Sequence, residues 1–266
     1  MSFIKIKDVT FRSPILTASG TFGYGDEMKN IIDLRSLGCI ITKSITLEPQ
    51  NGNAHPRIFK SNSGMLNAIG LANVGVQNFC DKKLVKLSGL DTNVLISIAG
   101  SQINDYIKVL KKIESCNGTQ IGYEINVSCP NIKSGGMELG VDKDAVYKLT
   151  KQLRNLTDKL LFVKLSPNVP NIQEIALSVE AAGADGISAI NTVVGMGIDI
   201  KTYKPHLSTI VGGLSGPAIK PIALANIYKI SKVVNIPIIG IGGITCLDDI
   251  IEFVLAGADL VQVGTL

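Results

Sequence analysis

The sequence predicts an α/β fold: a (β/α)8 TIM barrel, formed as a single domain over residues 1–266. Three observations predict it. Short apolar runs alternate with longer amphipathic stretches, the pattern of a parallel sheet with helices packed outside it. The runs number eight, and eight strands with seven crossovers fit a closed barrel better than an open sheet. The chain is 266 residues long, close to the roughly 250 residues of such barrels.

The elements follow in order. The N-terminal segment MSFIKIKDVTF alternates like a strand and lacks the apolar core of a signal peptide. Buried strands are expected at 15–20, 39–45, 94–100, 122–129, 160–167, 186–192, 237–243 and 260–265. Several end in Gly, Ser, Thr, Asn or Cys, as strands do when they open into loops. Residues 104–114 carry Tyr106, Ile107, Leu110 and Ile113 at helical spacing, and 144–156 carry Ala145, Leu149, Leu153 and Leu156. Residues 172–182, 219–233 and 247–256 behave the same way. Two stretches interrupt the alternation. Residues 46–70 are polar, with Pro49 and Pro56, and 191–216 hold Gly195, Gly197, Pro205, Gly212 and Gly213. Both follow the C-terminal end of a strand, where a barrel builds its active site, and loops of this length are usually functional. The last strand finishes near Thr265, where a complete barrel would continue into an eighth helix. The expectation is a barrel open on that side or a chain shortened at its C-terminal end.

Composition narrows the function. The hydrophobic fraction is 45% and the charged fraction 18%, enough apolar matter for a large core. A net charge of +4, spread along the chain, favours anionic ligands slightly and argues against a nucleic-acid surface. Cys39, Cys80, Cys116, Cys129 and Cys246 form no CxxC pair, so zinc-ribbon and ferredoxin spacings are absent and no metal site is expected. An odd, scattered set reads as reduced thiols in a cytosol. No apolar run approaches the roughly 18 residues of a membrane span. A soluble, cytoplasmic protein without a membrane partner is expected.

Three features carry chemistry. In INVSCPNIKSGG a strand ends at Asn126, and Pro130 restricts Cys129 to extended backbone over the barrel mouth. A free cysteine is most often a small buried apolar residue. Here Asn126, Asn131 and nearby lysines supply the electropositive polar setting of a reactive thiol. Second, GIGGI closes the seventh strand, QVGT closes the eighth, and GGLSGPAIKP opens a helix near Pro217. Glycines there let backbone N–H groups approach a phosphate, at the usual phosphate site of these barrels; the alternative is ordinary turn glycine. Third, Lys43 in ITKSI and Lys164 in FVKLSP sit in apolar runs, where a lysine is costly unless paired or solvated by a ligand. Surface snorkelling would explain one of them alone. Both belong to the barrel's interior or rim, which favours ligand anions.

These segments resemble the soluble dihydroorotate dehydrogenases. INVSCPNIKSGG, VKLSPNV, INTVVGMGIDI, GGLSGPAIKPIAL, PIIGIGGI and AGADLVQVGT occur in that family's order, joined by ILTASGTFGYG, ITKSIT and NAIGLAN. The cysteine in NVSCPN points to the soluble class, and NVSCPNIKSGG with the long GMGIDI loop is more similar to the NAD-linked heteromeric subclass than to the fumarate-linked homodimers. The resemblance implies an FMN enzyme that oxidises dihydroorotate to orotate in pyrimidine biosynthesis, with Cys129 as the base. It implies FMN contacts from Ser19, Lys43, Ser44, Ser97, Asn126, Lys164, Ile190, Gly216, Gly242, Gly243, Gly264 and Thr265. It implies substrate contacts from Lys43, Asn67, Ala68, Ile69, Gly70, Leu71, Asn126, Asn191 and Thr192. Ser97 departs from the family, which commonly has an asparagine there near the flavin. The resemblance further implies a partner subunit carrying FAD and a [2Fe–2S] cluster, in a heterotetramer built on a dimer of this chain. No GxGxxG in a strand-to-helix context offers a dinucleotide site of its own. The alternatives are a fumarate-linked enzyme, an FMN barrel acting on other dihydropyrimidines, a flavin-free isomerase or lyase, and a non-catalytic binding subunit.

Overall fold

The computed structural model describes residues 4–128, 130–131 and 137–265. Eight parallel strands close on themselves: β1 Ile15–Thr17, β2 Cys39–Ile41, β3 Asn93–Ala99, β4 Gly122–Asn126, β5 Leu160–Leu165, β6 Gly186–Ala189, β7 Ile238–Ile241 and β8 Leu260–Val263. All eight expected strands form, each within its expected span or a residue outside it. β8 pairs with β1, placing Val261 beside Ile15, so the barrel is closed rather than open at its last strand.

Outside lie α2 Ile103–Glu114, α3 Lys143–Arg154, α4 Ile172–Ala181, α5 Lys220–Ser231 and α6 Leu247–Leu255, at the expected positions. Side chains cap the starts of α3 and α4. Asp142 accepts from the backbone N–H of Asp144 and Ala145, and Asn171 accepts from that of Gln173. Tyr106, Val109, Leu110 and Ile113 of α2 and Val146, Leu149 and Leu153 of α3 are buried against the sheet's outer face. A further helical run, α1 at residues 75–87, contains a π-helical turn at Phe79–Leu84 and lies between β2 and β3.

Side chains alternate across each strand, so one set fills the barrel. Its lower part is apolar: Leu16, Cys39, Leu95, Leu160, Phe162, Ile239 and Leu260 pack together. The N-terminal hairpin, Ile4–Ile6 paired with Val9–Phe11, plugs this floor with Ile6 and Phe11. The same inward face turns polar higher up, at Ser97, Glu124, Asn126, Lys164, Ser188 and Gln262; the strand registers set Glu124 beside Ser97, and Lys164 beside Asn126 and Ser188.

The two stretches expected as long loops carry a sheet of their own. Val193–Met196, Val211–Ser215, Gly64–Asn67 and Ile58–Ser61 pair antiparallel in that order over the barrel mouth. These strands are short, rich in Gly and Asn and only half buried, so they lack the apolar runs that marked the barrel. Among the described residues no helix is long and apolar enough to cross a membrane.

Candidate active site

A cavity of about 850 Å³ opens at the C-terminal end of the barrel, beneath the antiparallel sheet. That is the size of a site for a cofactor with a small substrate. Ser19, Lys43, Ser44, Asn126, Lys164, Ile190, Gly242, Gly243, Gly264 and Thr265 line it, as do Asn67, Ala68, Ile69, Gly70, Leu71, Asn191 and Thr192. Two residues of the expected set stand outside the lining. Ser97 is fully buried and hydrogen-bonded to Ser44 (Oγ to Oγ, 2.8 Å), behind the cavity wall. Gly216 packs against the backbone of Gly64. Cys129 lies outside the described residues.

One wall is a chain of amide and hydroxyl groups. Asn126 Nδ2 donates to Ser44 Oγ (3.4 Å), and Asn191 Nδ2 donates to Asn126 Oδ1 (3.1 Å). Asn191 Oδ1 accepts from the Thr192 N–H (2.8 Å), and Asn168 Nδ2 donates to the Thr192 carbonyl (3.0 Å). Asn126 ends β4 and Asn191 follows two residues after β6, so the barrel sets their separation. Each amide keeps donor and acceptor capacity for a ligand edged with carbonyls and N–H groups. Asn67 reaches the same space from the roof, held by a bond from its Nδ2 to the Gly213 carbonyl (3.2 Å). The neighbouring Gly70 has φ of 71°, and a Cβ there would stand 2.6 Å from the Asn53 nitrogen. Leu71 follows at φ 53°, an uncommon conformation for a branched side chain.

The opposite end is built from backbone. Gly243 has φ of 75°, and a Cβ there would sit 2.8 Å from the Lys220 nitrogen, so the loop after β7 runs directly over the start of α5. Ser215 and Thr265 bring hydroxyls together at 3.1 Å across the loops before α5 and after β8. Asp249 ties the region down. It accepts from the Thr245 and Cys246 N–H groups (2.7 and 3.1 Å) and from Lys220 Nζ (2.6 Å). The Lys220 ammonium and the Thr245 N–H hold its carboxyl well below the usual carboxylate range.

Two lysines occupy different settings. Lys43 lines the cavity, and its ammonium has no ion-pair or hydrogen-bond partner among the described residues. Lys164 was expected to depend on a ligand anion for its counter-charge. It also has one inside the barrel: Glu124, with Oε1 3.6 Å from Lys164 Nζ.

The dihydroorotate dehydrogenase family model matches residues 1–266. The chain belongs to that family. A relative from Halalkalibacterium halodurans, "Dihydroorotate dehydrogenase B (NAD(+)), catalytic subunit", is 47% identical over 98% of this chain and 86% of its own length. Relatives of the same name from Bacillus pumilus and Listeria monocytogenes are 45% and 46% identical, over 98% and 99% of this chain and 84% and 86% of theirs. In fold, the chain resembles the crystal structure of DHODH in complex with ferulenol from Eimeria tenella. The TM-score is 0.77 at 22% identity, covering 98% of this chain and 78% of that one. Dihydroorotate dehydrogenases are oxidoreductases, and this chain is an enzyme of that class.

Within this dihydroorotate dehydrogenase fold, Asn168, Glu124 and Gln262 are polar residues that the sequence did not single out. For Glu124 the signal was present: it lies two residues before Asn126 on the same strand, hence on the same inward face.

Proposed function

We propose that the cavity binds FMN and dihydroorotate together, and that the chain oxidises dihydroorotate to orotate in pyrimidine biosynthesis. One observation carries this: a backbone-lined, glycine-dependent cradle and an amide-lined wall share a single cavity at the barrel's C-terminal mouth. The cradle suits a phosphate, which would meet the backbone around Gly242, Gly243 and Gly264 and the hydroxyls of Ser215 and Thr265. Asn67, Asn126 and Asn191, with Thr192, suit a flat pyrimidine that offers both donors and acceptors at its edge.

Oxidation removes a proton from carbon five of dihydroorotate and a hydride from carbon six. FMN, when bound, supplies the hydride acceptor. Cys129 takes the proton as a thiolate and later releases it to solvent. An ordinary thiol ionises near pH 8.5, close enough to neutrality for a general base once cations lie nearby. Lys43 supplies a cation to the cavity, where it would bind the substrate's carboxylate. The amide wall would hold the ring in one plane, which fixes the direction of the carbon-five proton.

Electrons then leave through a partner. The relatives' names, NAD(+)-linked and catalytic subunit, support a second subunit, and the five cysteines offer no familiar iron–sulfur spacing. We read that subunit as the carrier of FAD and a [2Fe–2S] cluster, joined to a dimer of this chain in a heterotetramer.

Denaturing the purified protein tests the cofactor assignment: equimolar FMN should be released, and its absence, or FAD in its place, would sink it. Anaerobic dihydroorotate should bleach the flavin. Fast NADH formation by the isolated chain would refute the partner, and rapid turnover with fumarate would move the enzyme to the homodimeric subclass.

A further inference from the structure

Lys164 and Glu124 form an ion pair inside the barrel, 4% and 0% exposed, with Lys164 in the cavity wall and Glu124 behind it. Among the described residues Lys164 is the only cation within ion-pair distance of Glu124. Gln262 joins them. Its Nε2 donates to Glu124 Oε2 (2.5 Å), and its Oε1 accepts from Lys164 Nζ (3.5 Å). Lys164 Nζ reaches on to Ser19 Oγ (3.2 Å), a residue of the cavity wall.

A carboxylate only accepts hydrogen bonds, so Glu124 forces the NH₂ of Gln262 toward itself and turns the amide oxygen toward Lys164. A glutamine at 124 could fill the same space. What it could not supply is the negative charge that balances a buried ammonium. Breaking one partner of a buried pair leaves the other uncompensated, which is strongly unfavourable.

We infer that Glu124 is a positioning residue: through Gln262 and by direct charge pairing, it holds the Lys164 ammonium against the cavity wall, where it faces the bound flavin. This rests on the FMN reading above. Glu124 itself touches neither ligand. In its absence the unbalanced ammonium is no longer held at the wall, and its stabilisation of the more negative, reduced cofactor is lost.

A double-mutant cycle separates this from a merely structural role. Glu124→Gln, Lys164→Met and the double variant are compared by FMN midpoint potential and by urea unfolding of the flavin-free protein. Glu124→Gln alone should reduce the preference for reduced over oxidised FMN tenfold or more, a drop of about 30 mV for a two-electron couple. With Met at 164 the same substitution should change that preference less than twofold. Lys164→Met alone should destabilise the flavin-free protein, and adding Glu124→Gln should restore it. If Glu124→Gln does not fold, the double variant should still fold and hold FMN. An equal potential shift in both backgrounds, no shift in either, or a double variant no more stable than Lys164→Met would overturn the inference. A wild-type protein without flavin would instead remove the FMN reading, and the unfolding cycle alone would then decide the linkage.

Discussion

The two ends of the barrel interior are built from opposite materials. The floor is aliphatic and aromatic, with Phe162, Leu95 and Leu16 fully buried and Phe11 driven into it from the N-terminal hairpin. A few residues up the same strands, the inward positions become Glu124, Lys164, Ser188 and Gln262, and then the open cavity. The floor is held by close packing, which is non-directional and indifferent to charge. The rim is held by hydrogen bonds with one correct geometry each. Among the described residues Glu124 Oε1 and Ser188 Oγ have no hydrogen-bond partner, an arrangement a region serving stability alone would avoid. The contrast implies that stability and chemistry can be perturbed separately.

The largest expected effect tests the floor. Phe162→Ala removes a fully buried ring and should cost about 3–5 kcal/mol of unfolding free energy in urea titration. The folded fraction should still bind FMN with unchanged affinity. A parallel loss of affinity would show that floor and rim are one mechanical unit.

Cys129→Ala is the complementary experiment at the rim. Flavin reduction by dihydroorotate should slow by about 10² or more, the scale of a lost general base, while the melting temperature and FMN content stay at wild-type values. Cys129→Ser should fall between the two, improving at high pH. A wild-type rate in the alanine variant would assign the proton to another residue.

Gly243→Ala sharpens the contrast within the rim. Its φ of 75° strains any side chain, and the added methyl would press on the Lys220 nitrogen and the Gly216 carbonyl. A stability loss of about 1–2 kcal/mol is expected from the backbone conformation. Weaker FMN binding, by at least tenfold in equilibrium dialysis, should accompany it. Unchanged affinity would move the phosphate elsewhere.

The contrast also explains what the sequence revealed. Strands buried on both faces write continuous apolar runs, so LLFVKL and CII announced the barrel, and amphipathic spacing announced five helices. The helical run at 75–87 was missed because it begins at a glycine and contains a π-turn at Phe79–Leu84, which shifts the apolar spacing. The roof sheet was missed because its strands pair residues far apart in sequence, such as Leu66 with Leu214. The cavity's glycines, asparagines and lysines were legible as motifs. Lys164's partner was not, because a lysine's need for a counter-charge is visible in sequence while the strand that supplies it is not.

The smallest expected effect concerns Asp249, which fastens the cradle by charge where the floor relies on packing. Its folded-state value lies below the ordinary 3.8, held there first by Lys220 and then by the Thr245 N–H. A depressed carboxyl contributes stability that is present above its unfolded value and is lost as pH falls through its folded one. The contribution is therefore intact at neutral pH and disappears only in acid, well below pH 4. Asp249→Asn should remove most of it at every pH. Amide exchange at Thr245 and Cys246, whose N–H groups bond this carboxylate, should quicken in the variant at neutral pH, while amides of β5 in the floor stay protected. In the wild type those two amides should lose protection before the floor does as acid is added. Simultaneous loss at both places would mean that the cradle opens only when the whole barrel does, and the separation between floor and rim would not extend to dynamics.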